Sequence, residues 1–94
     1  MATMIVKHRV SNFDTWKQVF DGMKSTRAKF GWKSTRVLRD ATDPNLVTII
    51  NHVASLDQAK QYGAHPELRA AMQNGGVQGA PEIAFCDDAG DAAY

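Results

Sequence analysis

His8 is the side chain with the clearest capacity for acid–base chemistry. It alternates with Met4, Val6 and Val10, and this period of two predicts that all four lie on one face of a strand. Apolar surroundings lower the pKa of a histidine and keep the ring neutral near pH 7, which suits a general base. The alternative is a core histidine that is hydrogen-bonded to a neighbour.

Asn51 and Tyr62 are candidates for holding an oxyanion. Asn51 shares a strand face with Val47, Ile49 and Val53, and in an antiparallel sheet we expect it beside His8. Its amide could orient a substrate oxygen or stabilise an enolate, or it could tether a nearby loop. Tyr62 could place its hydroxyl in a cavity between sheet and helices, or act as an ordinary core aromatic.

An apolar stripe indicates where a flat ligand would lie. Trp16, Phe20 and Met23 follow one another at helical spacing and face the predicted sheet. A cavity lined by them would suit an apolar small molecule, although core packing is the commoner role of such a stripe. His65 is a further substrate-contact candidate; because it precedes Pro66, it could equally be a helix cap.

Several other chemistries are not supported by the residue pattern. The three histidines are far apart and Cys86 is the one cysteine, so we predict no metal site and no internal disulfide. The glycines at 75, 76 and 79 follow a helix instead of preceding one, which argues against a phosphate loop. No Ser-His-Asp or Cys-His arrangement is supported. We therefore expect no bound cofactor.

The elements that position these residues follow the order βαββαβ. A strand of alternating pattern precedes an amphipathic helix, and a second strand rich in β-forming residues follows it. A turn-rich segment then leads to the most β-prone strand, and Ser55 with Gln58 forms a capping box. The predicted ranges are strand 4–10, helix 13–30, strand 32–39, strand 46–53, a helix after Ser55 broken at Gly63, a helix from Pro66 to Asn74, and strand 82–86. This order predicts an α+β, ferredoxin-like sandwich with a four-stranded antiparallel sheet and helices on one face.

The opposite sheet face would have no cover from its own chain. Ile5, Leu46, Ile50 and Leu38 are predicted to lie there, and so large an apolar face is not expected to stay in water. A second copy of the chain is the simplest cover, in a two-fold contact. We therefore predict a homodimer through this face.

Composition restricts the class of protein further. Ninety-four residues with 44% apolar content indicate one domain, residues 1–94, with a flexible tail at about 88–94. A net charge of +1 gives no strong global attraction to nucleic acid, and the predicted central strands carry no Phe, Tyr or Trp to stack bases. No segment is long and apolar enough for a membrane span, and no signal peptide is recognised. We expect a cytoplasmic protein.

Positive charge is concentrated in the middle of the first half of the chain. Six basic residues follow one another without an intervening acid: Lys24, Arg27, Lys29, Lys33, Arg36 and Arg39. The simpler interpretation is a helix end, where cations suit the dipole, followed by a solvated strand face. The other interpretation is a rim that attracts anions.

The chain as a whole resembles the dimeric α+β barrel superfamily, which includes antibiotic-biosynthesis monooxygenase-like and stress-responsive A/B barrel proteins. The resemblance rests on IVKHRV leading into FDTWKQVF, on RDATDPN before LVTIINHV, and on YGAHPELRAAM. Tyr62, His65 and Pro66 also match a motif of polyketide cyclases in this superfamily, but Leu68 occupies the position of their second histidine. The resemblance implies a dimeric α+β barrel.

Two functions remain open at this point. The first is a cofactor-independent monooxygenase or cyclase acting on an apolar phenolic or polyketide-like molecule, with His8 as base and with Asn51 and Tyr62 holding the anion. The second is a non-catalytic dimeric module that binds a small ligand or a partner protein. The second predicts a filled core, so a cavity large enough for a bicyclic molecule would count against it.

Overall fold

Residues 2–93 are described by a computed structural model, and within them four strands and four helices follow the predicted order. The elements are β1 (Ala2–Val10), α1 (Phe13–Gly22), α2 (Lys24–Lys29), β2 (Trp32–Arg39), β3 (Leu46–Val53), α3 (Leu56–Gly63), α4 (Pro66–Asn74) and β4 (Val77–Asp87). Residues 88–93 form neither helix nor strand. Met1 and Tyr94, the ends of the predicted domain and tail, lie outside the described residues.

The strands form one antiparallel sheet in the order β2-β3-β1-β4. In this order the two central strands, β1 and β3, are neighbours, with Ile5 opposite Ile50 and Met4 opposite Asn51. The helices pack on the face that carries the buried side chains of β1 and β3. The predicted ferredoxin-like α+β fold is therefore confirmed.

The core lies between this face and the helices. Val10, Val47 and Val53 are fully buried on the sheet side, and Trp16 is the buried anchor of α1. Asn12 holds the start of α1, because its side-chain oxygen accepts a hydrogen bond from the backbone N–H of Thr15 at 3.0 Å. The apolar stripe predicted for the first helix thus packs on the sheet as expected.

The first helical segment is interrupted, which the sequence pattern did not predict. In place of one helix over 13–30, α1 ends at Gly22 and α2 begins at Lys24, with Met23 between them. The N–H of Met23 bonds to the carbonyl of Phe20 at 3.1 Å, so the chain tightens there before α2 begins. Gly22 is the poorest helix former of this stretch and lies at the break.

β4 is longer than predicted and contains a bulge. It begins at Val77 instead of 82. On β1, Arg9 pairs with Gln78 of β4, but Lys7, two residues earlier, pairs with Glu82, four residues later. Residues 79–81 therefore arch out opposite His8. Pro81 has no N–H for the ladder, and Gly79 has a φ of 72°, so both residues suit this interruption.

The other face of the sheet has the predicted apolar residues. Ile5 and Ile50 lie opposite each other at its centre and are half-buried, Leu46 is also half-buried, and Leu38 is 37% exposed. Lys7, Arg36 and His52 share this face.

No helix among residues 2–93 is long and apolar enough to cross a bilayer.

Candidate functional site

A cavity of about 230 Å³ lies between the sheet and the helices. Its walls are mainly apolar side chains from β1, β3, α1 and α4, together with Met23. Four polar or titratable side chains reach it: His8, Arg27, Asn51 and Tyr62. An apolar cavity of roughly 150 Å³ can hold benzene, so this one has room for about two fused rings. A mostly apolar pocket with a few convergent polar groups is the usual form of a small-molecule site.

His8 lies at one end of the cavity, beside the β4 bulge. It is 8% exposed, and among residues 2–93 neither Nδ1 nor Nε2 has a hydrogen-bond partner. Its ring meets the edge of Trp16 at 5.6 Å between centroids. Burial lowers the pKa of His8 below its ordinary value of 6.5. The ring is therefore neutral at pH 7 and has a free nitrogen lone pair for a proton.

The side chain of Asn51, on β3, forms hydrogen bonds to both neighbouring strands, β2 and β1. Its Oδ1 accepts hydrogen bonds from Trp32 Nε1 at 2.9 Å and Thr35 Oγ1 at 3.2 Å, and its Nδ2 donates to the carbonyl of Met4 at 3.1 Å. Asn51 therefore links strands of the sheet to one another and does not tether a nearby loop, which was the alternative to an oxyanion role. One N–H of the amide is left for a ligand.

The expected closeness of Asn51 and His8 is corrected by the strand register. Asn51 lies opposite Met4, whereas His8 lies opposite Val47. Four residues along a strand separate their positions by about 13 Å, because a strand rises roughly 3.3 Å per residue. The two side chains reach the same cavity but not the same reacting atom.

Tyr62 lies at the Asn51 end of the cavity. It is buried, with its ring against Trp32 at 4.8 Å and Phe30 at 5.5 Å between centroids. Burial raises the pKa of Tyr62, while the hydrogen-bonding guanidinium of Arg27 opposes that rise. Tyr62 is therefore a neutral hydrogen-bond donor at pH 7.

Arg27 also lines the cavity, whereas the sequence indicated it only as one of the six residues of the basic run. It is buried, its guanidinium lies 3.8 Å from the centre of the Phe20 ring, and Nη1 donates to the Phe20 carbonyl at 2.7 Å. Desolvation lowers the pKa of Arg27, but an arginine stays charged in proteins. The available signal was its spacing, since position 27 continues the stripe of Phe20 and Met23.

The apolar residues predicted to contact a ligand do line the cavity, with one exception. Trp16, Phe20 and Met23 all form part of its wall, and Trp16 stacks on Phe20 at 4.9 Å. His65 lies outside the cavity wall. It caps α4, where its Nδ1 accepts a hydrogen bond from the N–H of Glu67 at 3.1 Å. The expectation that His65 binds substrate therefore has no support from its position, whereas the helix-cap alternative does.

In the described part of the chain, residues 2–93, no three His, Cys, Asp or Glu side chains come together as a metal-binding group.

No protein-family model matches the sequence, and no curated protein matches it. Solved structures do match in fold. SnoaB, a cofactor-independent oxygenase from Streptomyces nogalater, superposes with a TM-score of 0.78 and 15% identity over 96% of this chain and 94% of its own. A candidate antibiotic biosynthesis monooxygenase from Caulobacter crescentus gives 0.74 and 20% over 95% and 90%.

A third structure was solved with a ligand. The monooxygenase from the gene ActVA-Orf6 of Streptomyces coelicolor, in complex with nanaomycin D, matches with a TM-score of 0.69 and 20% identity over 99% of this chain and 91% of its own. Identities this low show a shared fold. The resemblance inferred from the sequence is confirmed at that level: the chain has the fold of antibiotic biosynthesis monooxygenase-like proteins.

Proposed function

Since the chain has the fold of antibiotic biosynthesis monooxygenase-like proteins, we propose that it is a cofactor-independent enzyme that oxygenates a phenolic, polyketide-like aromatic molecule. The observation that carries this proposal is His8, a neutral and buried imidazole with two unpartnered nitrogens at the wall of an apolar cavity. Buried polar atoms are normally satisfied, so a ligand is the natural partner for this ring.

In the proposed reaction His8 accepts the phenolic proton of the substrate. The resulting anion is electron-rich and is itself the reductant of molecular oxygen. One oxygen atom forms a new carbonyl on the ring, and the other leaves as water with two hydrogens from the substrate. Reduction of O₂ takes up four electrons. The substrate supplies two of them in forming the new carbon–oxygen bond and two in the oxidation of the ring to the quinone, so no added cofactor is needed.

The other cavity residues support this proposal by holding the substrate. Trp16 and Phe20 offer stacked aromatic surface for a flat ring system. Tyr62 and the remaining N–H of Asn51 can donate hydrogen bonds to a substrate oxygen at the end away from His8. Water is kept from the anion by the apolar walls, which strengthens these polar contacts.

Two alternative functions, a cyclase and a non-catalytic binding module, differ from the oxygenase in oxygen consumption and in product formation. A cyclase would start from the same anion but would consume no oxygen. A non-catalytic ligand-binding module would release its ligand unchanged. That alternative predicts a filled core, so the cavity counts against it.

We also propose that the protein is a homodimer through the sheet face that carries Ile5 and Ile50. Ile5 and Ile50 are half-buried and Leu38 is 37% exposed. Contact with the same face of a second copy would remove these apolar side chains from water. A cytoplasmic location stays a prediction from the sequence.

The test of the catalytic proposal uses 1,5-dihydroxynaphthalene, a two-ring phenol that would give a hydroxynaphthoquinone and water on reaction with O₂. Oxygen uptake and quinone formation are measured without added cofactor. We expect His8→Ala and His8→Gln to lower the rate at least about 100-fold, the usual lower bound for loss of a general base.

His52→Gln is the matched control, because His52 lies on the opposite sheet face and should leave the rate unchanged. Circular dichroism checks that each variant is folded. Equal oxygen uptake by wild type and both His8 variants would reject His8 as the base.

A further inference from the structure

Arg27 is a buried cation that lacks a carboxylate partner within residues 2–93. The ion pairs there join Arg9 to Asp43 and Lys17 to Asp21, and neither involves Arg27. Asp21 acts on Arg27 only through a weaker electrostatic effect, and it is already paired with Lys17. A buried charge without a counter-charge is costly, so an arginine in this position calls for an anion.

The protein groups around Arg27 occupy only part of its hydrogen-bonding capacity. A guanidinium has five N–H donors in one plane. One is directed to the Phe20 carbonyl and another interaction involves the Tyr62 hydroxyl, which leaves further donors at the cavity wall. The planar fork matches a carboxylate in a two-point contact better than it matches a single neutral oxygen.

Arg27 also lines a basic groove on the surface. The groove, about 400 Å³ in volume, lies between the first helical segment and β2, and Arg27 lines both spaces. Lys17, Lys24 and Lys33 are the other cations along it, against the one acid Asp21. An anionic ligand would be attracted to this groove, and Arg27 is the cation that the groove shares with the cavity.

We propose that the ligand of this cavity is an aromatic carboxylate, held with its carboxylate on Arg27 and its ring system along Phe20 and Trp16. The contacts define this order, because Arg27 stacks on Phe20, Phe20 stacks on Trp16, and Trp16 meets His8. A hydroxyl at the far end of the ligand donates a hydrogen bond to one of the unpartnered nitrogens of His8. The inference rests on the proposed function for the role of His8, and it adds the class of substrate.

The experiment compares ligands that differ by one group. Binding of 6-hydroxy-2-naphthoate, of 2-naphthol, which lacks the carboxylate, and of 2-naphthoate, which lacks the hydroxyl, is measured by isothermal titration calorimetry without oxygen. We expect wild type to bind 6-hydroxy-2-naphthoate at least about tenfold more tightly than 2-naphthol, which is the lower range for a charge-assisted contact.

Two variants assign this preference to Arg27. In Arg27→Met the two ligands should bind within about twofold of each other, because an unbranched side chain of similar length replaces the charge. Arg27→Lys should keep part of the preference, since a lysine offers charge but no planar fork. Lys29→Met, on the same helix but outside both the cavity and the groove, should keep the full difference.

The proposal is overturned if wild type binds 6-hydroxy-2-naphthoate and 2-naphthol equally, if the preference persists in Arg27→Met, or if Lys29→Met removes it as fully as Arg27→Met. The wild-type comparison needs no variant, so a failure of Arg27→Met to fold does not protect the proposal. Because binding is measured without oxygen, a carboxylate preference without any oxygenation would leave this inference standing and remove the proposed function. Oxygenation without the preference would do the reverse.

Discussion

At the scale of single residues, the sequence indicated that His8 is buried but not that its ring nitrogens lack hydrogen-bond partners. Alternation along β1 is enough to place His8 among apolar side chains, and the structure confirms that face. Whether a buried nitrogen finds a partner depends on side chains from distant segments, which no local pattern gives. Arg27 was missed for a related reason: a charge in a basic run is usually solvated, and only the packing of α2 shows that its guanidinium turns inward.

The lowered pKa of His8 makes stability depend on pH. The folded protein binds a proton on His8 less readily than the unfolded chain, whose histidine titrates near 6.5, so stability is full above that pH and falls as the pH drops below it. We expect wild type to be less stable to urea at pH 5.5 than at pH 7.5. In His8→Leu this part of the pH dependence should disappear.

His52→Gln, which retains His8, serves as the comparison in these urea titrations. It should keep the loss of stability between pH 7.5 and 5.5. A pH dependence in His8→Leu equal to that of wild type would show that another group is responsible.

Asn51 makes a second prediction at this scale. Replacing it with Leu leaves Trp32 Nε1 and the Met4 carbonyl without their partner inside the protein. We expect Asn51→Leu to lower the free energy of unfolding by about 2–4 kcal/mol, since each buried unsatisfied group costs about 1–3 kcal/mol. Chemical denaturation measures this change.

Asn74→Leu is the control for Asn51→Leu, because Asn74 is exposed at the end of α4. It should change stability by less than about 0.5 kcal/mol. If both variants lost the same stability, the hydrogen bonds of Asn51 would not be the cause.

At the scale of elements, the sequence predicted type and order well and boundaries less well. β2 and β3 have the predicted bounds, and Ser55 and His65 begin their helices as expected. The break at Met23 was not predicted, because the apolar stripe continues across it with unchanged spacing. The start of β4 was also misplaced, because Pro81 reads as the end of a loop, whereas the bulge lets a proline stand inside a strand.

The bulge gives a prediction about Gly79. Gly79 has a φ of 72° and open space where a Cβ would lie, so Gly79→Ala introduces backbone strain without a collision. We expect a loss of about 1–2 kcal/mol in the free energy of unfolding, the usual cost of the left-handed region for a residue with a Cβ.

Gly22→Ala is the matched change in a helix. Gly22 also has open space around it, but its backbone is helical, so alanine should stabilise the protein by about 0.5–1 kcal/mol. Equal effects of the two substitutions, measured by urea denaturation, would mean that the arch at 79–81 does not constrain Gly79.

At the scale of the whole molecule, the sheet face opposite the helices determines the proposed assembly. The sequence placed Ile5 and Ile50 on this face, and their direct pairing across β1 and β3 follows from the register. What the pattern could not give is how far polar side chains such as Lys7 and Arg36 interrupt the apolar area. The structure places them around the paired isoleucines, on the same face.

The assembly is tested by placing a carboxylate at the centre of that face. We expect wild type at micromolar concentration to sediment at about twice the chain mass of 10.3 kDa. Ile50→Asp should sediment as a monomer, because a two-fold contact would bury the new charge without a partner.

Ala70→Asp places the same charge on the exposed surface of α4 and should remain dimeric. A wild-type protein that sediments as a monomer, or an Ile50→Asp dimer of unchanged affinity, would contradict the proposed interface.

The arch of β4 over residues 79–81 has a consequence for how this cavity could change in evolution. The ladder is intact on both sides of it, so a residue inserted or deleted there would not shift the pairing of Val77 with Val10 or of Glu82 with Lys7. Pro81 forms part of the cavity wall, and its displacement would alter the room beside His8. Length variation in this short segment could therefore enlarge or reduce the cavity while sheet and helices stay in place.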